Sequence, residues 1–328
     1  MKLELPIAVS LLAAGCFVAW NARNGTKPNR IEQTSDKAVI QTSYQLPTVG
    51  QEINADARDL ILSTAQQLQN AGPLMADVKM SVDMFGQHIR SVGRYYQMGQ
   101  GTRKSRLEFS FDSDESQAKI LQVCDGHFYY RYQAFGEKAS LDIADLARVA
   151  EADRSVLLAD SKTWMSTGGL SSLLSALAGN FDFQPVRQIS TGQSSGFVVA
   201  GRWNEVRLRH LLYGQINQNF IHNSIQWKRL PAHIPQSVEI HLRQSASGSV
   251  FPSRITFICH QSESSESVDS ISLEFASPKM VQELPEETFR VRAGSVEMND
   301  LTNEFVGRVE DLQQAVRQAA MSGDTFFK

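Results

Sequence analysis

Between Ala76 and Tyr132 apolar residues recur at every second position in five successive runs, and only short polar turns separate them. Val78, Met80, Val82 and Met84 alternate with Asp77, Lys79, Ser81 and Asp83, the period of a strand with one buried face. After the turn "FGQ" the chain returns as "HIRSVGRYYQM", and "SRLEFSF" then sets Leu107, Phe109 and Phe111 on one face. In "AKILQVCDGHFYYRY" the pair Asp125-Gly126 suits a two-residue type I′ turn. Strands joined this tightly are antiparallel neighbours. The chain therefore opens as a meander, and the parallel βαβ alternation of a doubly wound fold is absent.

The remaining elements fit around that meander. Asn54 is placed to cap a helix on Ala57, Leu60, Ile61, Ala65 and Leu68, ended by Gly72-Pro73. Ser140 is placed to cap a second, "LDIADLARVA", with Leu141, Ala144, Leu146 and Val149 inward. Strands resume with "FDFQPVRQIS" and "GFVVAGRW", and Asn204 opens a helix on Leu208, Leu211, Leu212 and Ile216. "SVEIHLRQ", "FPSRITFICH" and "DSISLEFAS" follow, with "TFRVRA" as an eleventh strand, and a last helix starts near Asp300 with Phe305, Val309, Leu312 and Val316 at heptad-like spacing. The expected class is α+β, mainly antiparallel β. The expected architecture is a curved, half-open β-barrel of about 10–11 strands with helices covering its concave face.

One helix stands apart. In "GGLSSLLSALAGNFDF" Leu170, Leu173, Leu174 and Leu177 share a face, while the opposite side holds Ser171, Ser172, Ser175, Ala176 and Gly179. No charged residue lies between Lys162 and Asp182, where a surface helix would carry several. Burying four leucines stabilises a domain by roughly 6–12 kcal/mol as an upper bound, so this face must be covered. Two readings stand. The leucines are core packed on the sheet, or the helix is a lid over an apolar chain, with Gly168-Gly169 and Gly179 as hinges.

The order of these elements resembles LolA/LolB-like domains: a leading helix, an outward strand, a glycine-bearing return strand, an Arg-x-Glu strand and an Asp-Gly hairpin followed by aromatics. Gly93, Arg106, Glu108, Asp125, Gly126, Tyr129 and Tyr130 occupy those places, and the resemblance covers about residues 50 to 290. It implies an incomplete barrel with helices plugging its mouth over an apolar cavity. It implies a partner that is a lipid acyl chain or lipoprotein, or for structural relatives an envelope protein partner. In this sequence the cavity residues would be Leu170, Leu173, Leu174 and Leu177 with Leu107, Phe109, Phe128 and Tyr130. The chain departs from a carrier in "LPAHIP" at Leu230–Pro235 and in the helix after "VEMNDLTNEF".

The N-terminus bears on localisation. Lys2 and Glu4 precede an apolar run from Leu5 to Trp20, followed by a polar stretch to residue 52. That run is read as an uncleaved membrane anchor, as a cleaved signal, or as a lipoprotein signal in which Cys16 of Ala13-Ala14-Gly15-Cys16 is the site of lipidation. All three place the remainder in the periplasm or cell envelope. The expected organisation is a signal peptide or anchor at 1–22, a flexible linker at 23–52, the LolA-like domain at 53–298 and a C-terminal amphipathic helix at 299–328. Cys124 and Cys259 either pair after export or, the preferred reading, stay reduced and separately buried.

Chemistry has little support. Gly192-Gln193-Ser194-Ser195-Gly196 matches G-x-S-x-G, but strand-like segments flank it on both sides, whereas a nucleophile elbow runs from strand to helix. The seven histidines form no H-E-x-x-H, and C-x-x-C, P-loop and dinucleotide fingerprints are missing, so no metal or cofactor is expected. A net charge of -3 gives no overall basic balance for nucleic acid. Arg202, Arg207, Arg209 and His210 form a local basic stretch, read as a solvated helix face or as a contact for anionic headgroups or an acidic partner. The expected function is non-enzymatic binding of a lipid or acylated lipoprotein. The alternative is a periplasmic interaction module of the same fold without lipid cargo.

Overall fold

The computed structural model describes residues 51–307 except 54–55, 85–86, 113–116, 153–167, 192–193, 213–233, 246–247, 260–269, 293 and 295. Strand β1 (Gln51–Ile53) and helix α1 (Ala57–Asn70) lead into a meander of six strands. These are β2 (Leu74–Met84), β3 (Gln87–Gln97), β4 (Ser105–Asp112), β5 (Gln117–Cys124), β6 (Phe128–Phe135) and β7 (Lys138–Asp145). Helices α2 (Leu146–Ala152) and α3 (Gly169–Asn180) interrupt it, then β8 (Phe181–Phe183), β9 (Val186–Thr191) and β10 (Ser194–Trp203) resume. Helix α4 (Glu205–Leu212) precedes β11 (Ser237–Gln244), β12 (Val250–Ile258) and β13 (Ser270–Met280), and β14 (Met298–Asp300) closes the series before a helical turn at residues 302–307.

The fourteen strands of the described residues belong to one sheet, in the order β1-β9-β10-β11-β12-β13-β2-β3-β4-β5-β6-β7-β14, with β8 beside β10. Every pairing is antiparallel except β14 on β7, and the edge strands do not meet, so the barrel stays open. Seen along the sheet, β13 pairs with β2 and joins the two halves of the meander, Ser270 lying opposite Asp83. On β2 the predicted alternation holds: Val78, Met80 and Val82 are buried while Asp77 and Lys79 are exposed. The inward residues of both halves meet those of α1 and α3 in one core cluster. At Gly93 a Cβ would lie 1.8 Å from the Glu108 carbonyl oxygen, so β3 and β4 approach this closely only because that residue is glycine.

Several expectations are corrected. The α1 cap is Asp56, whose side chain accepts from the Arg58 and Asp59 amides at 2.8 and 3.3 Å; Asn54 lies outside the described residues. "LDIADLARVA" is not one helix. Its first half is strand β7, because Arg131 on β6 forms an ion pair with its cross-strand neighbour Asp142 and fixes the extended pairing. "FDFQPVRQIS" breaks at Gln184-Pro185 into β8 and β9. "TFRVRA" is no strand: a 3₁₀ turn at Glu286–Phe289 crosses the convex side, where Phe289 and Leu284 cover Leu121 and Val123. The sheet has more strands than expected because "FDFQPVRQIS" divides into two and because β1, β7 and β14 carry too little alternation to read as strands.

Candidate functional site

Helices α1 and α3 lie together on the concave face. Leu170, Leu174 and Leu177 are fully buried and Leu173 nearly so, packed with Leu107 and Phe109 in the central core. The small side of α3 is not turned to water either: Ser171, Ala176, Ala178 and Asn180 are buried, and Gly179 alone on the helix is exposed. Small side chains let α3 sit between α1 and the sheet. Its polar groups bond within the helix: Ser171 donates to the Gly168 carbonyl at 2.9 Å, Ser175 to Ser171 at 2.9 Å and Asn180 to Ala176 at 2.8 Å. The absence of charge in this helix is thus the signature of double coverage.

Both helices are tied to one corner of the sheet. The Leu170 amide donates to the Tyr95 hydroxyl at 2.8 Å, Tyr95 donates to the Gln97 side-chain oxygen, and Gln97 Nε2 donates to the Leu68 carbonyl of α1 at 3.2 Å. Burial drives the Tyr95 phenol far above its usual range, so it stays neutral and serves as both donor and acceptor. The next free carbonyls of α1 are met by the turn after β3: Gly101 donates to Gln69 at 3.0 Å and Gln100 to Ala71 at 2.9 Å. Gly169 has φ +70°, and a Cβ there would stand 2.2 Å from the Tyr95 hydroxyl. Under this corner, Tyr95, Leu107, Gln122, Cys124 and Tyr129 leave about 10 Å³, space for a single water rather than an acyl chain.

Apolar space opens instead at the C-terminal end of α1. A cleft of about 320 Å³ lies between that helix end, the β11–β12 hairpin and the end of β13. Leu68, Ala71, Leu74, Val250, Phe251 and Phe275 line it, with Pro278 and Met280 at one side. Its floor is continuous with the core, since Phe251 meets Phe275 edge to face at 6.3 Å and Phe275 meets Tyr95 at 5.9 Å. Gln67 spans the mouth, its Oε1 accepting from the Val250 amide at 3.3 Å. Arg243 is the single charged residue of the described lining. Sequence periodicity missed this cleft because its walls come from three separate stretches of the chain. A second, larger cleft of about 710 Å³, near Asp56, Arg58, Asp182 and Arg207, is lined by charges of both signs.

The other predicted residues are dispersed. Phe128 and Tyr130 are corrected: they do not face α3. The Asp125-Gly126 turn pairs Cys124 with Tyr129 and Val123 with Tyr130, which sends Tyr129 inward and Tyr130 to the convex side. The Phe128 ring lies tilted at 48° to that of Tyr130, 6.2 Å away, and Tyr130, with burial and the Asp125 carboxylate raising its pKa to about 12, donates to Asp125 at 3.2 Å. Alternation alone cannot distinguish the two faces of an aromatic strand when both are covered.

The basic stretch does not form one free patch. Arg209 pairs with Glu205 at 3.2 Å, and Arg207 shares its cleft with Asp56 and Asp182. Arg202 lies in register with Asp182 and is exposed. His210 falls on α4, and its side chain, like Cys16, lies outside the described residues. Cys124 and Cys259 are buried in separate clusters. The G-x-S-x-G segment runs from β9 into its antiparallel partner β10, and Ser195 donates to Gln244 at 3.2 Å. Among the described residues no group of His, Cys, Asp and Glu is placed to hold a metal, and no helix is long and apolar enough to cross a membrane.

No family model matches the chain, and no curated protein does. Among solved structures it is similar to the LolA superfamily protein NE2245 from Nitrosomonas europaea, with TM-score 0.29 and 11% identity over 72% of this chain and 99% of that one. It is similar to LprF from Mycobacterium bovis, with TM-score 0.33 and 8% identity over 73% and 98%. It is also similar to a chain of the MucA/MucB complex of Pseudomonas aeruginosa, with TM-score 0.28 and 13% identity over 73% and 62%. Of the three, NE2245 is the one described as a LolA superfamily protein, and each likeness is loose. Each is a likeness of architecture alone.

Proposed function

We propose that this protein is an exported, non-enzymatic binding protein, held at a membrane by its N-terminal segment, that takes the apolar chain of a lipid or acylated lipoprotein into the cleft beside α1. The observation that carries the reading is the cleft itself. It is walled by apolar side chains and floored by the core, and at about 320 Å³ it falls at the lower end of ligand cavities. That size suits one chain rather than several. The leucines of α3 contribute by holding the floor rigid rather than by touching the ligand.

The test is fluorescence titration of the full chain, purified without detergent, with an environment-sensitive fatty acid probe. Ala71→Trp, at the half-buried end of α1, fills the cleft and should abolish uptake, while Leu173→Trp, outside the cleft lining, should leave it intact in whatever fraction folds. Met280→Trp is a second, exposed way to fill the same space. Uptake unchanged by both fillings, or no uptake by the wild type, would overturn the reading.

A second reading, an envelope protein-interaction module without lipid cargo, is favoured by the sheet edge at β14. That strand is three residues long, its side chains are exposed, and it has no outer neighbour among the described residues. Such an edge accepts an added strand from a partner.

A further inference from the structure

Resting on the cleft as a ligand site, the geometry points to a single-chain amphiphile with an anionic head, selected by Arg243 at the mouth. Of the thirteen described residues that line the cleft, Arg243 is the only one that carries charge. It sits on β11 directly opposite Phe251, the residue that reaches the floor, so one cross-strand pair spans the cleft from its wet rim to its apolar base. The guanidinium is exposed and makes no ion pair among the described residues. Its counterpart Arg254, on the partner strand β12, is paired with Glu274 at 3.5 Å.

No carboxylate belongs to the described lining, so nothing there competes with an anion for Arg243. The hairpin that carries the mouth also places Ser245, Ser249 and Ser253 in the lining, with the Ser245 amide donating to the Ser249 carbonyl at 2.8 Å and the Ser253 hydroxyl to the His241 carbonyl at 3.2 Å. An arginine stem lies well along apolar surface while its planar head stays in water, and that head meets a carboxylate or phosphate through two parallel bonds. The chemistry is therefore an apolar tail below and one oxyanion above. A preference for anions would run against the net charge of the protein, which is -3, and so cannot arise from its overall field.

The experiment is calorimetric titration of the full chain with dodecanoate, dodecyl phosphate and dodecyltrimethylammonium, each below its micellar concentration. The expected result is that the anions bind at least tenfold tighter than the cation, and that Arg243→Gln erases the preference while leaving the thermal melting curve unchanged. Arg243→Lys should retain part of it. A stronger loss for dodecyl phosphate than for dodecanoate would assign the head as a phosphate, and the reverse as a carboxylate. Equal affinity for all three ligands, or an anion preference that survives Arg243→Gln, would overturn the role of Arg243 and leave the cleft standing as an apolar site. Binding of none of the three would overturn the cleft as a ligand site and this inference with it.

Discussion

The amide of Leu170, at the start of α3, donates across 2.8 Å to the hydroxyl of Tyr95 on β3, and both residues are completely buried. Through Gln97 the same hydroxyl reaches the last turn of α1, so two helices distant in sequence share one polar fastening. Tyr95→Phe strands the Leu170 amide and the Gln97 oxygen. It should cost about 2 kcal/mol in urea unfolding. Gln97→Leu should cost a similar amount, and the double variant clearly less than the sum, because the two side chains act as one unit. Strict additivity would show that the fastening is not cooperative.

Gly169 is the neighbouring constraint. A methyl group there meets the Tyr95 hydroxyl at 2.2 Å on a backbone of φ +70°. Gly169→Ala should destabilise by about 2–4 kcal/mol. In the Tyr95→Phe background the closest clash is gone, leaving Gln97 Oε1 at 2.9 Å and Ser105 Cβ at 3.1 Å beside the backbone strain, and the added cost should fall clearly without vanishing. Equal costs in the two backgrounds would place the conflict elsewhere.

Arg131 and Asp142 form a nearly buried pair on neighbouring strands, and Asn299 of β14 donates to the second Asp142 oxygen at 3.2 Å. Arg131→Met leaves a buried carboxylate without its cation and should cost about 3–5 kcal/mol. Arg131→Met with Asp142→Leu should return to within about 1 kcal/mol of the wild type by thermal unfolding. If the double variant is as unstable as the single, the pair itself, rather than its desolvation, holds β6 to β7.

Burial pushes the Cys124 thiol up to about 11, against an ordinary value of 9.0. The folded state therefore keeps its proton where the unfolded chain releases it. This stabilising effect is complete below about pH 9 and fades as pH rises towards 11, reaching roughly 2 kcal/mol of loss by pH 10.5. Tyr95, raised by the same cause, acts in the same direction at higher pH. Urea midpoints at pH 8 and pH 10.5 should diverge less in Cys124→Ala than in the wild type. An identical decline in both would remove Cys124 from the alkaline limb.

Much of the fold was legible because β2 to β6 repeat one signal: an apolar face, a polar face and a short turn. The core half of the predicted cavity set was legible for the same reason, since Leu107, Phe109 and the α3 leucines each obey a clean period and do meet. What stayed hidden depends on cover supplied from afar. Tyr130 reads as inward until the segment around Phe289 is seen lying over the convex side. Asp142 reads as a helix residue until Arg131 is seen beside it. The cleft at Arg243 has no local signature, because Leu68, Phe251 and Met280 come together only when β13 reaches the end of α1.

The seam between β2 and β13 has a consequence for assembly. A chain delivered N-terminus first completes β2 to β7 long before β13 exists, so the β2 ladder must wait with its hydrogen-bonding edge bare. During that interval the growing half-sheet is an acceptor for any passing strand, including that of another copy. The zipper at the middle of the finished sheet therefore closes late, and only the short rim pairing of β14 on β7 comes from chain that follows it.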